Sequence, residues 1–173
     1  MRIAGKDTVL DLPTEEDVDT ITAWENDPSH WLVSDTLAPY SREQILDFVQ
    51  QNDDIYESGQ LRLMIRSLDG VERIGCIDLY GFDPKNRRVG VGILVDPDFR
   101  GRGLAREALA LLVDYCKNDL EMHGVYAEVL SNNPSSQHLF ESVGFEQTGI
   151  RKEWLVDGSQ YIDQFFYQKL FDR

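Results

Sequence analysis

The chain has 173 residues, 42% of them hydrophobic and 28% charged, which gives a globular protein enough apolar material for one sizeable core. Its 17 basic and 31 acidic residues leave a formal net charge of −14, so the basic surface that nucleic-acid binding requires is not expected. No apolar run is long enough to span a membrane, the first residues carry no signal-peptide core, and Cys76 and Cys116 lack metal-ligand spacing. A single domain over 1–173 in the reducing cytoplasm, with no metal, membrane or nucleic-acid partner, is therefore expected.

Thr8 to Leu12 reads as a short strand. Thr14-Glu15-Glu16-Asp17 resembles a capping box and opens a helix carrying Val18, Ile21 and Trp24, which Asp27-Pro28 closes. Ser29 to Tyr40 has no clear period and reads as a loop. Ser41-Arg42-Glu43-Gln44 is a full capping box for a second helix with the stripe Ile45, Phe48 and Val49, and Gly59 lies past its end. Leu61 to Ser67 alternates as a strand, Asp69-Gly70 turns the chain, and Arg73 to Tyr80 is the next strand. Asp83 to Asn86 forms another turn.

From Val89 to Val95, branched residues alternate with Gly90, Gly92 and Leu94. This is strand periodicity, and its glycines suggest a bulge or a close approach to the backbone. Asp96-Pro97-Asp98 ends the strand, and Arg100-Gly101-Arg102-Gly103 leads into a helix with Leu104, Ala108, Leu111, Leu112 and Tyr115 on one face. A glycine-rich turn at a helix start presents free backbone N–H groups and the positive end of the dipole, which suits a phosphate or pyrophosphate. Arg100 and Arg102 add charge there. Gly124 to Leu130 forms a further strand. Asn133 is a good N-cap with Pro134 at the first helical position, and Gly144 suits the residue after the helix end. Asp157-Gly158 joins strands near Gly149 to Val156 and Gln160 to Phe171 in a closing hairpin. The sum is a mixed α+β sheet.

The turn fits neither the dinucleotide nor the P-loop string. It does fit R-x-x-G-x-G/A through Arg100, Gly103 and Ala105, and a second pattern, N-x-x-[SA]-x-x-[LI]-[YF]-x-x-x-G-F, is supplied by Asn133, Ser136, Leu139, Phe140, Gly144 and Phe145. On these two motifs the chain resembles the GNAT family of acetyl-CoA-dependent N-acetyltransferases, from about Asp11 to its end. Within the family it looks closest to the branch of spermidine/spermine and ribosomal-protein N-terminal acetyltransferases, through Ile74 to Leu79, the central stretch, and the hairpin from Glu153-Trp154 to Asp163.

The resemblance implies a largely antiparallel seven-stranded sheet flanked by about four helices, with a V-shaped splay after the central strand. It implies acetyl-CoA as co-substrate, held by Ile93, Leu94 and Val95 of the strand, by Arg100, Gly101, Arg102, Gly103, Leu104 and Ala105 of the turn, and by Asn133, Ser136 and Phe140 of the later motif. Many relatives carry at the Phe140 position a tyrosine thought to protonate the leaving thiolate. Phenylalanine has no such proton, and at the third residue from the helix end it is placed to pack on Phe145. Ser136 is one substitute acid; solvent is another, since thiol pKa values lie near about 8.5. Asp78 stands where polyamine-acetylating relatives carry Glu and is the candidate for removing the amine's proton. Backbone N–H groups near Leu94 and Val95, freed by the expected bulge, would meet the oxyanion.

Glu25, Asp27, Asp35 and Glu153 could hold a cationic chain, with Trp31 and Trp154 stacking on it. The expected function is acetyl transfer to the primary amine of a small polyamine-like cation, by a homodimer or larger homo-oligomer. A peptide or protein α-amine is the alternative acceptor, and a non-catalytic acyl-CoA-binding module is the alternative of another class.

Overall fold

A computed structural model describes residues 1–34 and 37–172. Eight strands form one sheet: β1 (Arg2–Ala4), β2 (Thr8–Asp11), β3 (Leu61–Ser67), β4 (Arg73–Asp83), β5 (Arg88–Val95), β6 (Gly124–Leu130), β7 (Glu146–Asp157) and β8 (Gln160–Leu170). Their order is β1-β2-β3-β4-β5-β6-β8-β7. Every pair is antiparallel except β5 with β6, which the crossover through a helix makes parallel.

Four helices of eight or more residues flank the sheet: α1 (Val18–Glu25), α3 (Arg42–Gln51), α5 (Leu104–Asn118) and α6 (Pro134–Ser142). Among the described residues two further α-helices are single turns, α2 (Trp31–Ser34) and α4 (Ile55–Ser58). On one face α1 and α3 bury Val18, Ile21, Trp24, Ile45 and Val49 against Met64 and Cys76, which oppose each other on β3 and β4. On the other face Ala108, Leu109, Leu112, Val113 and Cys116 of α5 and Phe140 of α6 join the larger core with Ile77, Leu79, Val89, Val91 and Val125. The amphipathic periods of helix and strand thus sort the side chains into two layers.

Local signals govern the ends of these elements. The Ser41 hydroxyl accepts from the Gln44 N–H at 3.2 Å while the Gln44 side chain accepts from the Ser41 N–H at 2.8 Å, closing the expected box. Gly144, at φ 88°, ends α6. The Phe145 N–H reaches the Phe140 carbonyl at 3.1 Å and the Gly144 N–H reaches Glu141 at 2.9 Å, a complete Schellman closure with the Phe140 and Phe145 rings 5.0 Å apart.

The structure departs from the sequence reading at four places. An eighth strand, Arg2–Ala4, pairs with β2. Part of Ser29 to Tyr40 is helical, as α2. The second long helix stops at Gln51, and Gly59 (φ 72°) caps the separate turn α4. The β4–β5 irregularity falls between Tyr80 and Asp83, so the bulge expected inside Val89–Val95 is absent; Gly75 to Tyr80 pair with Val95 to Gly90 without a break.

Candidate active site

The site begins where two strands part. Pairing between β5 and β6 runs only through Arg88↔Gly124, Val89↔Val125 and Gly90↔Tyr126. Beyond that point β5 stays on β4, while β6 follows β8 as far as Leu130↔Gln164. A wedge therefore opens at Gly90 and widens toward Val95, as the resemblance leads one to expect.

The hydrogen-bond alternation of the antiparallel ladders says which backbone groups line it. The Asp96 N–H donates to the Ile74 carbonyl at 2.9 Å, so the even-numbered residues of β5 turn their backbone groups toward β4. Val91, Ile93 and Val95 then turn theirs into the wedge, and the Val95 carbonyl is met by Arg100 Nε at 3.0 Å. Of the two amides expected at the oxyanion, Val95 faces the gap and Leu94 faces β4. On the opposite arm, the Ser131 N–H donates to Asp163 of the β8 side at 2.9 Å, which turns Glu128 and Leu130 toward the gap. Separation of the strands, rather than a bulge, leaves these groups open.

At the wide end, Gly101 (φ 75°) and Gly103 (φ 78°) both take the left-handed conformation natural to glycine, and a Cβ on either would meet open space. Gly103 is the N-cap of the 15-residue α5. Its first N–H groups and dipole therefore face solvent across a bare surface, a cradle that fits a pyrophosphate. Arg100 and Arg102 are exposed beside it. Each spends one donor on a nearby carbonyl, Arg102 on Asp98 at 2.9 Å, and keeps others for an anion. Leu104 and Ala105 follow at half-buried positions. Asn133 Oδ1 accepts from the half-buried Ser136 N–H at 3.2 Å, so Asn133 holds the start of α6. Phe140 is only 3% exposed and its ring belongs to the core.

The floor on the α1/α3 face is open at Gly92 and covered by the Tyr80 ring at Gly90. Gly90 and Gly92 stand opposite Tyr80 and Asp78 in the β4 register, and the Tyr80 ring lies on Gly90, where a Cβ would come within 2.4 Å of it. Beside this floor, Arg62 of β3 opposes Asp78. Its Nε and Nη2 grip both Asp78 oxygens at 2.7 and 2.8 Å, while Nη1 reaches Glu25 at the end of α1 at 2.6 Å. The Phe48 ring packs 5.3 Å from the guanidinium. Burial opposes the Arg62 charge, but Asp78 and Glu25 outweigh it and hold the guanidinium above its ordinary pKa. Two carboxylates on one guanidinium leave one net negative charge at the floor.

The structure thus joins Asp78 and Glu25 through a residue that the sequence reading did not single out. Arg62 reads as an ordinary outward position of an alternating strand; only the β3–β4 register reveals its partners. Half-buried Trp31 donates to the Glu25 carbonyl at 2.9 Å and supports the end of α1. The Asp27 carboxylate accepts from the Ser29 N–H at 2.9 Å as a local cap. Asp35 lies outside the described residues. Glu153 is exposed on the β7 irregularity between Arg151 and Leu155, at φ 51°, with its N–H on Asp163 at 2.7 Å. Trp154 is 59% exposed, with Arg151 5.2 Å from its ring. These hairpin residues do not join the Glu25–Arg62–Asp78 group.

The chain matches the acetyltransferase (GNAT) domain over residues 8–146. A spermidine N(1)-acetyltransferase of Vibrio cholerae is 27% identical over 108 residues, which span 62% of each chain. An uncharacterized N-acetyltransferase, p20, of Bacillus licheniformis is 25% identical over 90% of this chain and 88% of its own. The crystal structure of the spermidine N-acetyltransferase from Vibrio cholerae in complex with CoA and spermine superposes with a TM-score of 0.85 over 96% of both chains, at 22% identity, and so shares the fold. With the family matched over most of its length and the parted strands and glycine turn in place, the chain belongs to the GNAT family of N-acetyltransferases.

Proposed function

We propose that this acetyltransferase moves the acetyl group of acetyl-CoA onto the primary amine of a small polyamine-like cation by direct attack. The observation that carries the reading is the open floor at Gly92 beside the Glu25–Arg62–Asp78 group, two carboxylates on one guanidinium. Acetyl-CoA supplies the activated acyl group. The Arg100–Gly103 turn and the start of α5 would bind its pyrophosphate, and the inward-facing backbone of Val91, Ile93 and Val95 would bind its pantetheine amides. Asn133 and Ser136 would border the same groove.

Asp78 and Glu25 would attract the acceptor's ammonium. Arg62 donates to both Asp78 oxygens, yet each keeps a lone pair. Asp78 can therefore accept a hydrogen bond from the ammonium, or from a water that carries its proton away. An alkyl amine with a pKa near about 10.4 is mostly protonated at pH 7, so this deprotonation is required before attack. The names of the polyamine-acetylating relatives and the net charge of −14 support a cationic acceptor.

The test is CoA thiol release across polyamines, aminoglycosides, amino acids and short peptides. Selective release with polyamines is expected, and Asp78→Asn should lower turnover more at neutral than at high pH. Release with peptides alone would move the acceptor to an α-amine. Acetyl-CoA binding with no release on any amine would make the chain a binding module.

A further inference from the structure

The phenol of Tyr80 occupies a place that neither the motifs nor the mechanism above uses. Its ring lies over Gly90, the last β5 residue paired to β6, where an added Cβ would meet ring carbons at 2.4, 2.6 and 2.8 Å. Its far edge meets Tyr126, the last β6 residue paired to β5, at 5.7 Å and 87°. Tyr126 in turn stacks on Phe166 at 5.3 Å. The ring is thus clamped across the apex of the wedge by a glycine below and an aromatic pair beside it.

The hydroxyl continues in the same direction. Glu128 is the first β6 residue after Tyr126 whose backbone faces the gap. A phenol hydroxyl carries one proton to donate. Burial raises the Tyr80 hydroxyl, Glu128 and Tyr126 add to that, and the Glu128 amide and Arg151 oppose it, so the group stays a neutral phenol near pH 7. The Glu128 carboxylate is engaged by Arg151.

A chain lying along the open backbone of Val95, Ile93 and Val91 from the glycine turn runs out of gap at Gly90, so its reactive end comes to rest beneath Tyr80. We propose that the Tyr80 hydroxyl is the hydrogen-bond donor to the thioester at the wedge apex, stabilising the negative charge that grows on its oxygen or sulfur as the amine attacks. The inference rests on the acetyl-transfer reading above. It gives the site a donor in place of the hydroxyl that Phe140 of α6 lacks, from strand β4 and the opposite face of the sheet. Tyr80 remains protonated throughout: the amine's proton leaves by way of Asp78 and water, the C–S bond breaks, and solvent protonates the released thiolate.

Tyr80→Phe tests this, because it keeps the ring on Gly90 and against Tyr126 and removes only the oxygen. With saturating acetyl-CoA and the best amine of the panel, kcat should fall by about 100-fold, the usual effect of deleting one preorganised donor. CoA affinity should stay within twofold, and the loss should be the same factor from pH 6 to pH 9. A kcat within twofold of the wild type would overturn the proposal. So would weakened CoA binding or a lowered unfolding midpoint, which would make the hydroxyl a strut between the strands. A loss confined to one limb of the pH profile would overturn it too, by making the group a titrating acid. Wild-type protein that binds CoA but acetylates no amine fails the underlying reading instead, and shows it before any variant is measured.

Discussion

Replacing Gly103 by alanine separates backbone strain from ligand contact, because Gly59 provides a matched control. Gly103 has φ 78° and Gly59 has φ 72°, and a Cβ on either meets no atom within 4 Å. Both substitutions therefore carry the same cost, the left-handed strain of about 1–2 kcal/mol. At about 2–4 °C per kcal/mol for a chain of this size, each should lower the unfolding midpoint by about 2–8 °C. Only the Gly103 methyl, however, would stand at the start of α5, where the proposed pyrophosphate would lie. CoA at a hundred times its Kd adds about 2.7 kcal/mol to the native state. Gly59→Ala should keep that increment, whereas Gly103→Ala should lose at least about half of it, corresponding to a Kd raised tenfold or more. Calorimetric unfolding with and without CoA, with titration of each variant, measures both quantities. Equal CoA affinity in the two variants would refute the placement of the pyrophosphate at this turn.

Two further predictions concern the buried ionisable groups. Burial of Asp17 would raise its carboxyl, but bonds from Arg66, the Thr14 amide and Arg73 overcome it and hold the group at about 2, below its reference of 3.8. The resulting stability, about 2 kcal/mol, is present above pH 3.8 and lost as the pH falls toward 2. Asp17→Asn should therefore cost about 3 kcal/mol at pH 7 by leaving the Arg66 charge under-compensated; a denaturant midpoint equal to the wild type's would contradict this. Burial pushes the Cys76 and Cys116 thiols up to about 12, so native protein at pH 8 should not react with an aromatic disulfide reagent, while denatured protein should react at both; rapid native labelling would disprove the packing assigned to them.

Features set by short-range chemistry are legible in the sequence. Capping residues, glycine at the end of α6 and the periods of 2 and 3.6 mark most elements, because their hydrogen bonds close within a few residues. The wide end of the site was legible for the same reason: Arg100 to Ala105 are consecutive, and a helix start binds anions wherever it occurs. The short β1 escaped notice because its anchor is remote. The Glu107 carboxylate of α5 accepts from the Lys6 N–H at 2.6 Å and the Thr8 hydroxyl at 2.7 Å, a hundred residues away. The narrow end is assembled by long-range pairing. That Arg62 grips Asp78 and Glu25 follows from the β3–β4 register and the position of α1. That Tyr80 spans the apex follows from where β6 leaves β5 for β8. Strand pairing brings residues together across long stretches of chain, and no local pattern records which edge will remain open.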